Sequence, residues 1–309
     1  MKIIITGGTG MIGTAFKNLK TDHELISVGS SDYNLKDSVH TKKMILEHTP
    51  DAIIHLAARV GGVKGNSDHV ADFFHENIMI NTNVLSTARE LNVPKVVSVL
   101  STCVYPDKVT YPLTEEQMHM GPPHESNFGY AYAKRMLDVH TRALRQQYGK
   151  NYTCAIPNNL YGPNDNFDLS NGHVVPSVIR KIWEAKINKN PAVFWGSGKP
   201  LREFTLSSDF AQILLWMTEN YNSSLPLNVG NTAEFSIHTL VQEVCNILEY
   251  NGEVVWDKSM PEGQFKKPSS NQKFIDLHGE LDYTELREGL KITCDWFLQR
   301  YPKVRGVSK

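Results

Sequence analysis

The 309-residue sequence has only four cysteines, Cys103, Cys154, Cys245 and Cys294, widely separated and with no C-x-x-C pair. That excludes a disulfide frame or a cysteine zinc site as the basis of the fold and points to thiols of a reducing compartment. No metal is expected. No uninterrupted apolar run approaches the roughly 18 residues of a membrane span, and the first residues enter a strand without a charged leader. Charge of one sign is lacking too: 32 Lys plus Arg stand against 33 Asp plus Glu, with no long basic run. A nucleic acid or an anionic membrane therefore finds no general attraction. Low-complexity segments and repeats are missing. The expectation is a cytoplasmic globular protein whose core needs neither disulfide nor metal.

What is present begins with Lys2 to Gly13, KIIITGGTGMIG. Ile3, Ile4, Ile5 and Thr6 form a β-branched run that reads as a buried strand, broken at once by Gly7. Thr14, Ala15, Phe16 and Leu19 then carry helical apolar spacing, which sets Gly7, Gly10 and Gly13 in a strand-to-helix turn. Unpaired N–H groups and the dipole at such a helix start favour a pyrophosphate, and side chains at the glycines would hold it off. A tight turn alone explains one glycine, not three. The expected cofactor contacts here are Gly7, Gly10, Met11, Ile12 and Gly13.

The second strand, Glu24 to Gly29, ends in Val28-Gly29-Ser30-Ser31 without the acid that would bind the ribose 2′-hydroxyl of NAD. Ser30 and Ser31 leave room for a 2′-phosphate, so NADP (NADPH) is the expected cofactor. Asp32 close by either caps a turn or meets the adenine, and the serines otherwise form an ordinary polar loop. A helix is read over residues 38–48. A third strand is read over Ala52 to Ala58, and its end, Leu56-Ala57-Ala58, is expected to let the cofactor approach the backbone. A helix over 71–91 and a strand over 95–100 continue the alternation. The fold class this predicts is α/β: a doubly wound parallel sheet, Rossmann-like, with helices on both faces.

Ser101 and Cys103 follow the fourth strand; if the chain stays extended they project to one side of the sheet edge where ligands of such folds bind. Asn127-Phe128-Gly129-Tyr130-Ala131-Tyr132-Ala133-Lys134 opens a helix that runs to about Tyr148. Tyr130 and Lys134 share a helical face and Tyr132 does not. An ammonium beside a phenol lowers a pKa that starts near 10, which suits Tyr130 to proton exchange with a carbonyl oxygen.

The GxxGxxG turn with Ser101, Tyr130 and Lys134 resembles the extended short-chain dehydrogenase/reductase superfamily over most of the chain. Within it, several segments resemble the GDP-L-fucose synthase family, the GDP-4-keto-6-deoxymannose epimerase/reductases. They are Ser101-Thr102-Cys103-Val104-Tyr105-Pro106, Gly121-Pro122-Pro123-His124, the run Pro157 to Phe167, Asn171-Gly172-His173-Val174-Val175-Pro176 and Gly263-Gln264-Phe265-Lys266-Lys267. The resemblance implies NADPH-dependent 3,5-epimerisation and 4-reduction of GDP-4-keto-6-deoxy-D-mannose. It implies Cys103 as base and His173 as acid, with Ser101 and Tyr130 holding the C4 oxygen. By their residue types alone, Cys103 would be a small buried hydrophobe and His173 a surface residue. Thr102-Cys103 stands where dehydratases of the superfamily carry an Asp-Glu pair.

Cofactor contacts are further expected at Pro157, Asn159, Leu160 and His173, and substrate contacts at Asn158, Arg180, Trp195, Arg202 and Lys267. Arg202 offers a bidentate fork for a diphosphate, as its family counterpart does, or else joins surface ion pairs with Glu203. Lys266 beside Lys267 leaves the choice between them open. Tyr152 to Pro157 reads as a strand and Asn158 to Asn166 as a loop. Val174 to Ala185 reads as a helix, Ala192 to Gly196 as a strand and Asp209 to Tyr221 as a helix. Leu225 to Gly230 reads as a strand returning to the first domain, and Asp282 to Tyr301 as an amphipathic helix. The expected division is residues 1–160 for the cofactor, with a return around 204–232, and 161–309 mostly for the substrate. The family's pairing of helices equivalent to 75–91 and 130–148 implies a homodimer. Two rivals stay open: the same chemistry on a UDP- or dTDP-linked 4-keto-6-deoxyhexose, and a non-catalytic, NADP-responsive binding protein.

Overall fold

In the computed structural model, which describes residues 1–260 and 264–307, each isoleucine of the opening run is fully buried. Ile4 faces one apolar layer, Ile3 and Ile5 the other. A strand covered on both faces has no polar alternation, which is why the run is continuous. This strand is β1 (Lys2–Thr6), followed by α1 (Met11–Ala15), β2 (Glu24–Val28), α2 (Ser38–His48) and β3 (Ala52–His55). Then come α3 (Val63–Asp68), α4 (Val70–Glu90), β4 (Lys95–Val99), α5 (Phe128–Tyr148) and β5 (Asn151–Pro157). The second half holds β6 (Asn159–Tyr161), α6 (Val174–Asn188), β7 (Ala192–Trp195), β8 (Leu201–Leu206), α7 (Ser207–Asn220) and β9 (Leu227–Val229). It ends with β10 (Glu234–Ser236), α8 (Ile237–Ile247), β11 (Val254–Asp257), α9 (Gln272–His278) and α10 (Leu286–Arg300).

The main sheet is parallel throughout, in the order β2-β1-β3-β4-β5-β9. Strand order reverses between β1 and β3, so the crevice beyond their carboxyl ends is where a ligand of this fold sits. The returning strand β9 pairs with β5, and α7 packs with α1 on the face opposite α4 and α5. A second apolar core gathers β7, β8, α6, α8 and α10 around Phe167, Phe204 and Phe297.

Several elements differ from the sequence reading. The third strand stops at His55 because Thr6 Oγ1 accepts from the N–H groups of Leu56 and Ala57, both at 3.2 Å, and draws the chain off the sheet. The helix after the glycine turn is short, continuing as a single 3₁₀ turn over Phe16–Asn18. Asn159–Tyr161, read as loop, is a strand paired with Phe204–Leu206, with Tyr161 buried. The last helix begins at Leu286 rather than Asp282, since Asp209 accepts from the Thr284 N–H (2.8 Å) and hydroxyl (2.9 Å) and holds that segment apart.

Candidate active site

The glycine turn is built by two different demands. Gly7 has φ +68, and a Cβ there would stand 3.0 Å from Ala57 N; a Cβ at Gly13 would lie 2.4 Å from Gly8 Cα. Both are required by the protein's own packing. A Cβ at Gly10 would meet only Gly7 O, at 3.3 Å, so the space it would fill is free of protein. That space lies at the start of α1, whose first-turn N–H groups have no intrahelical partner, and it fits a pyrophosphate. Met11, Ile12, Leu56, Ala57 and Ala58 are half-buried, with Ile12 and Leu56 leaning on the core. At the tip of β2, Asp32 accepts from Gly29 N–H at 2.7 Å and so caps the turn. Ser30 and Ser31 are exposed, and Lys36 is engaged by Glu76 at 3.3 Å.

Beyond β4 the chain does not stay extended. Ser101 caps a 3₁₀ turn over Thr102–Val104, and its Oγ accepts from the Cys103 N–H at 3.4 Å. This turn, rather than strand alternation, is what brings Ser101 and Cys103 together. Burial pushes the Cys103 thiol up from its ordinary pKa, while Ser101 and the charges of Lys267 and Lys134 pull it back. On α5, Tyr130 packs edge-on against Phe73, ring centres 6.3 Å apart, and Lys134 Nζ lies 5.8 Å from the Tyr130 ring centre.

The expected lowering of the phenol is not what this arrangement produces. Lys134 is buried, donates to Val99 O at 2.7 Å, and is itself pushed down to about 8 by desolvation. Burial and the neighbouring Cys103 drive the Tyr130 pKa upward. Tyr130 is thus a protonated donor, the form that hands a proton to an oxygen.

His173 is exposed at the start of α6, its Nδ1 3.9 Å from the buried Asp165 carboxylate. The adjacent Asp165 carboxylate raises the His173 pKa against desolvation and Arg305. The loop before it leans on the loop after β3, where Gly62 N–H donates to Asn171 O at 2.9 Å. Asp165 was not singled out in the sequence; the signal was its place in the Asn164-Asp165-Asn166 run just ahead of the histidine.

A cavity of about 270 Å³ opens beyond α6, lined by Val174, Val178, Lys181, Phe194, Trp195 and Arg202 among others. Two aromatic rings beside two cations suit a planar base joined to a diphosphate. Lys181 went unremarked in the sequence; its Nζ lies 5.5 Å from the Phe194 ring centre. Trp195 and Arg202 are therefore placed together, with Arg202 donating to the carbonyls of Leu201 (2.6 Å) and Gln264 (2.9 Å). Arg180 is not at this cavity: Glu184 and the carbonyls of Phe167 and Gly306 occupy its guanidinium. Asn158 is buried and bonded to Asn231 O, Thr205 and Glu203, which ties the end of β5 to β8 and to the segment after β9. Asn159 ties to Glu203 O at 2.8 Å, Leu160 joins the core beneath the main sheet, and Pro157 ends β5. Lys267 donates to Thr102 O at 2.9 Å. Gly263 of the same motif lies outside the described residues.

Residues 3–230 match the NAD dependent epimerase/dehydratase family. The chain belongs to that family. Its relatives include a GDP-L-fucose synthase of Dictyostelium discoideum, 42% identical over 98% of this chain and 97% of that one. A GDP-L-colitose synthase of Yersinia pseudotuberculosis is 33% identical over 96% and 98%. Among solved structures, a GDP-L-fucose synthetase of Naegleria fowleri bound to NADP superposes with a TM-score of 0.93 at 41% identity, covering 98% of this chain and 94% of that one. Among the described residues no helix is long and apolar enough to cross a membrane, and no cluster of three His, Cys, Asp or Glu forms a metal site.

Proposed function

We propose that the protein converts GDP-4-keto-6-deoxy-D-mannose to GDP-L-fucose, epimerising C3 and C5 and reducing C4 with NADPH. The observation that carries this is the Ser101–Cys103 turn set against Tyr130 and Lys134 at the end of β4, in a chain similar to GDP-L-fucose synthases almost end to end. The cofactor would lie along Gly10, the first turn of α1 and the β3 end, with Ser30 and Ser31 at its 2′-phosphate. When bound, it supplies the hydride for C4.

The chain's own residues do the rest. The C4 ketone acidifies the hydrogens at C3 and C5; Cys103 removes a proton from one face and His173 returns one from the other. Ser101 and Tyr130 donate to the C4 oxygen and stabilise the charge that develops there. Tyr130 then gives its proton as C4 is reduced, and Lys134 holds the local positive charge. Arg202 and Lys181 would face the diphosphate, with Trp195 beside the base. Residues 1–160 with the return around 204–232 form the cofactor unit in this reading, and the remainder of 161–309 the substrate lobe. Its compartment is the cytoplasm, in keeping with four free thiols.

The test is incubation with NADPH and the GDP sugar in deuterated water. Expected are NADPH oxidation and deuterium at both C3 and C5. Cys103→Ser should lower label incorporation by about 10²-fold or more and Tyr130→Phe should lower reduction by a similar factor. A chain that leaves the sugar unchanged overturns the proposal, and a UDP- or dTDP-linked 4-keto-6-deoxyhexose turned over faster favours the rival substrate.

A further inference from the structure

The segment from Gln264 to Ser270 is a strap laid across both lobes. On one side Leu201 N–H donates to Phe265 O at 2.7 Å, and Glu203 accepts from Ser269 N–H (2.8 Å) and hydroxyl (2.6 Å). On the other, Leu113 N–H donates to Pro268 O (2.8 Å) and Ser270 N–H returns the bond to Leu113 O (2.9 Å). Between these anchors Lys267 reaches back to the Thr102 carbonyl, the peptide that lies between Ser101 and Cys103. A lysine so used is not free to follow a diphosphate, and it brings a cation to the one turn that carries a thiol.

The groups around that thiol are Ser101 on its own turn, Tyr130, Lys134 and Arg135 from α5, and Lys267 from the strap. Lys134 is already committed to Val99 O and Arg135 to the carbonyls of Val104 and Gly121. Of the charges that favour the thiolate, Lys267 is the larger and Lys134 the smaller. Burial disfavours the Lys267 ammonium, Cys103 favours it, and Arg202 and Asp107 add smaller opposing effects.

We propose that Lys267 is a positioning residue, which fixes the Thr102 peptide and charge-stabilises the base form of Cys103, so that proton abstraction rather than sugar-nucleotide binding depends on it. The inference rests on the reading of Cys103 as the base. The experiment is the pH profile of Cys103 alkylation by iodoacetamide in the full-length protein, followed by peptide mass analysis, for wild type, Lys267→Gln and Lys267→Arg. Gln keeps a donor for Thr102 O but carries no charge. It should slow alkylation at pH 7.5 about tenfold, as for an upward shift of one unit, and Arg should restore it. In the exchange assay, Lys267→Gln should lower kcat about tenfold with KM within about twofold of wild type. An alkylation profile unmoved by Gln, or one that Arg fails to restore, overturns the proposal. So does a raised KM with unchanged kcat, which would make Lys267 a diphosphate contact. Alkylation needs no sugar, so failure of the substrate assignment would leave this result standing on its own.

Discussion

At the end of β3 the imidazole of His55 is enclosed between Thr6 Oγ1 at 2.8 Å and Asn81 Oδ1 at 3.1 Å. Asn81 Oδ1 accepts, so Nε2 carries the proton; Thr6 Oγ1 already accepts from two backbone N–H groups, so Nδ1 is the acceptor of its hydroxyl. A second ring proton has no acceptor there. Burial, with the charge of Lys134, pushes the His55 pKa from 6.5 down to about 3. The unfolded chain therefore takes up the proton first. Its contribution to stability is complete above pH 6.5 and drains as the pH falls toward 3, by roughly 1.4 kcal/mol for each unit. His55→Gln should flatten the fall in urea midpoint between pH 6.5 and 4; parallel curves for the two proteins would refute the account. At this scale the sequence showed residue types better than their states. That Tyr130 and Lys134 share a helical face could be read from spacing, but not that Lys134 would be turned to a carbonyl and Tyr130 kept protonated. Those depend on what Val99 and Phe73 bring from distant parts of the chain.

Secondary-structure elements were legible where burial imposes a pattern over several residues. β1 and β3 carry runs of adjacent isoleucines and β4 adjacent valines because both faces are covered, and α5 shows its two faces through Tyr130 and Lys134 on one and Tyr132 on another. β6 and β10 were not legible, since three residues carry no period and exist as strands only by pairing with β8. The glycine turn gives a prediction at the same scale. Gly10 has φ −81 and ψ −178, open to any residue, and a Cβ there meets a single atom. Gly10→Ala should melt within about 2 °C of wild type yet bind NADPH at least about tenfold more weakly. Gly13→Ala drives its Cβ against the Gly8 backbone and should cost roughly 1–3 kcal/mol of stability. Thermal melts with and without NADPH separate the two; equal melting of both variants would show that the turn's packing was misread.

In the whole molecule, α4 and α5 pack closely on each other, and their outward faces carry an apolar stripe that no other part of the described chain covers. Phe128, Tyr132, Met136 and Val139 follow helical spacing along α5, each more than a third exposed, with Phe74 on α4. Tyr130 and Lys134 occupy the opposite side of the same helix. Such a stripe is costly in water, and a second copy of the same two helices would cover it symmetrically, as the homodimer expected from the family resemblance requires. The catalytic helix would then be clamped between its own sheet and the partner. Light scattering on wild type should give about twice the 34.9 kDa of one chain. Met136→Glu places a charge in the centre of the stripe, where it would be desolvated without a partner, and should shift the protein to monomer at micromolar concentration. Because the clamp steadies the helix that carries Tyr130 and Lys134, the monomer should lose kcat a few-fold while NADPH affinity, set at β1, α1 and the β3 end, stays within about twofold. A monomeric wild type, or a dimer indifferent to Met136→Glu, would place the stripe outside any interface of this kind.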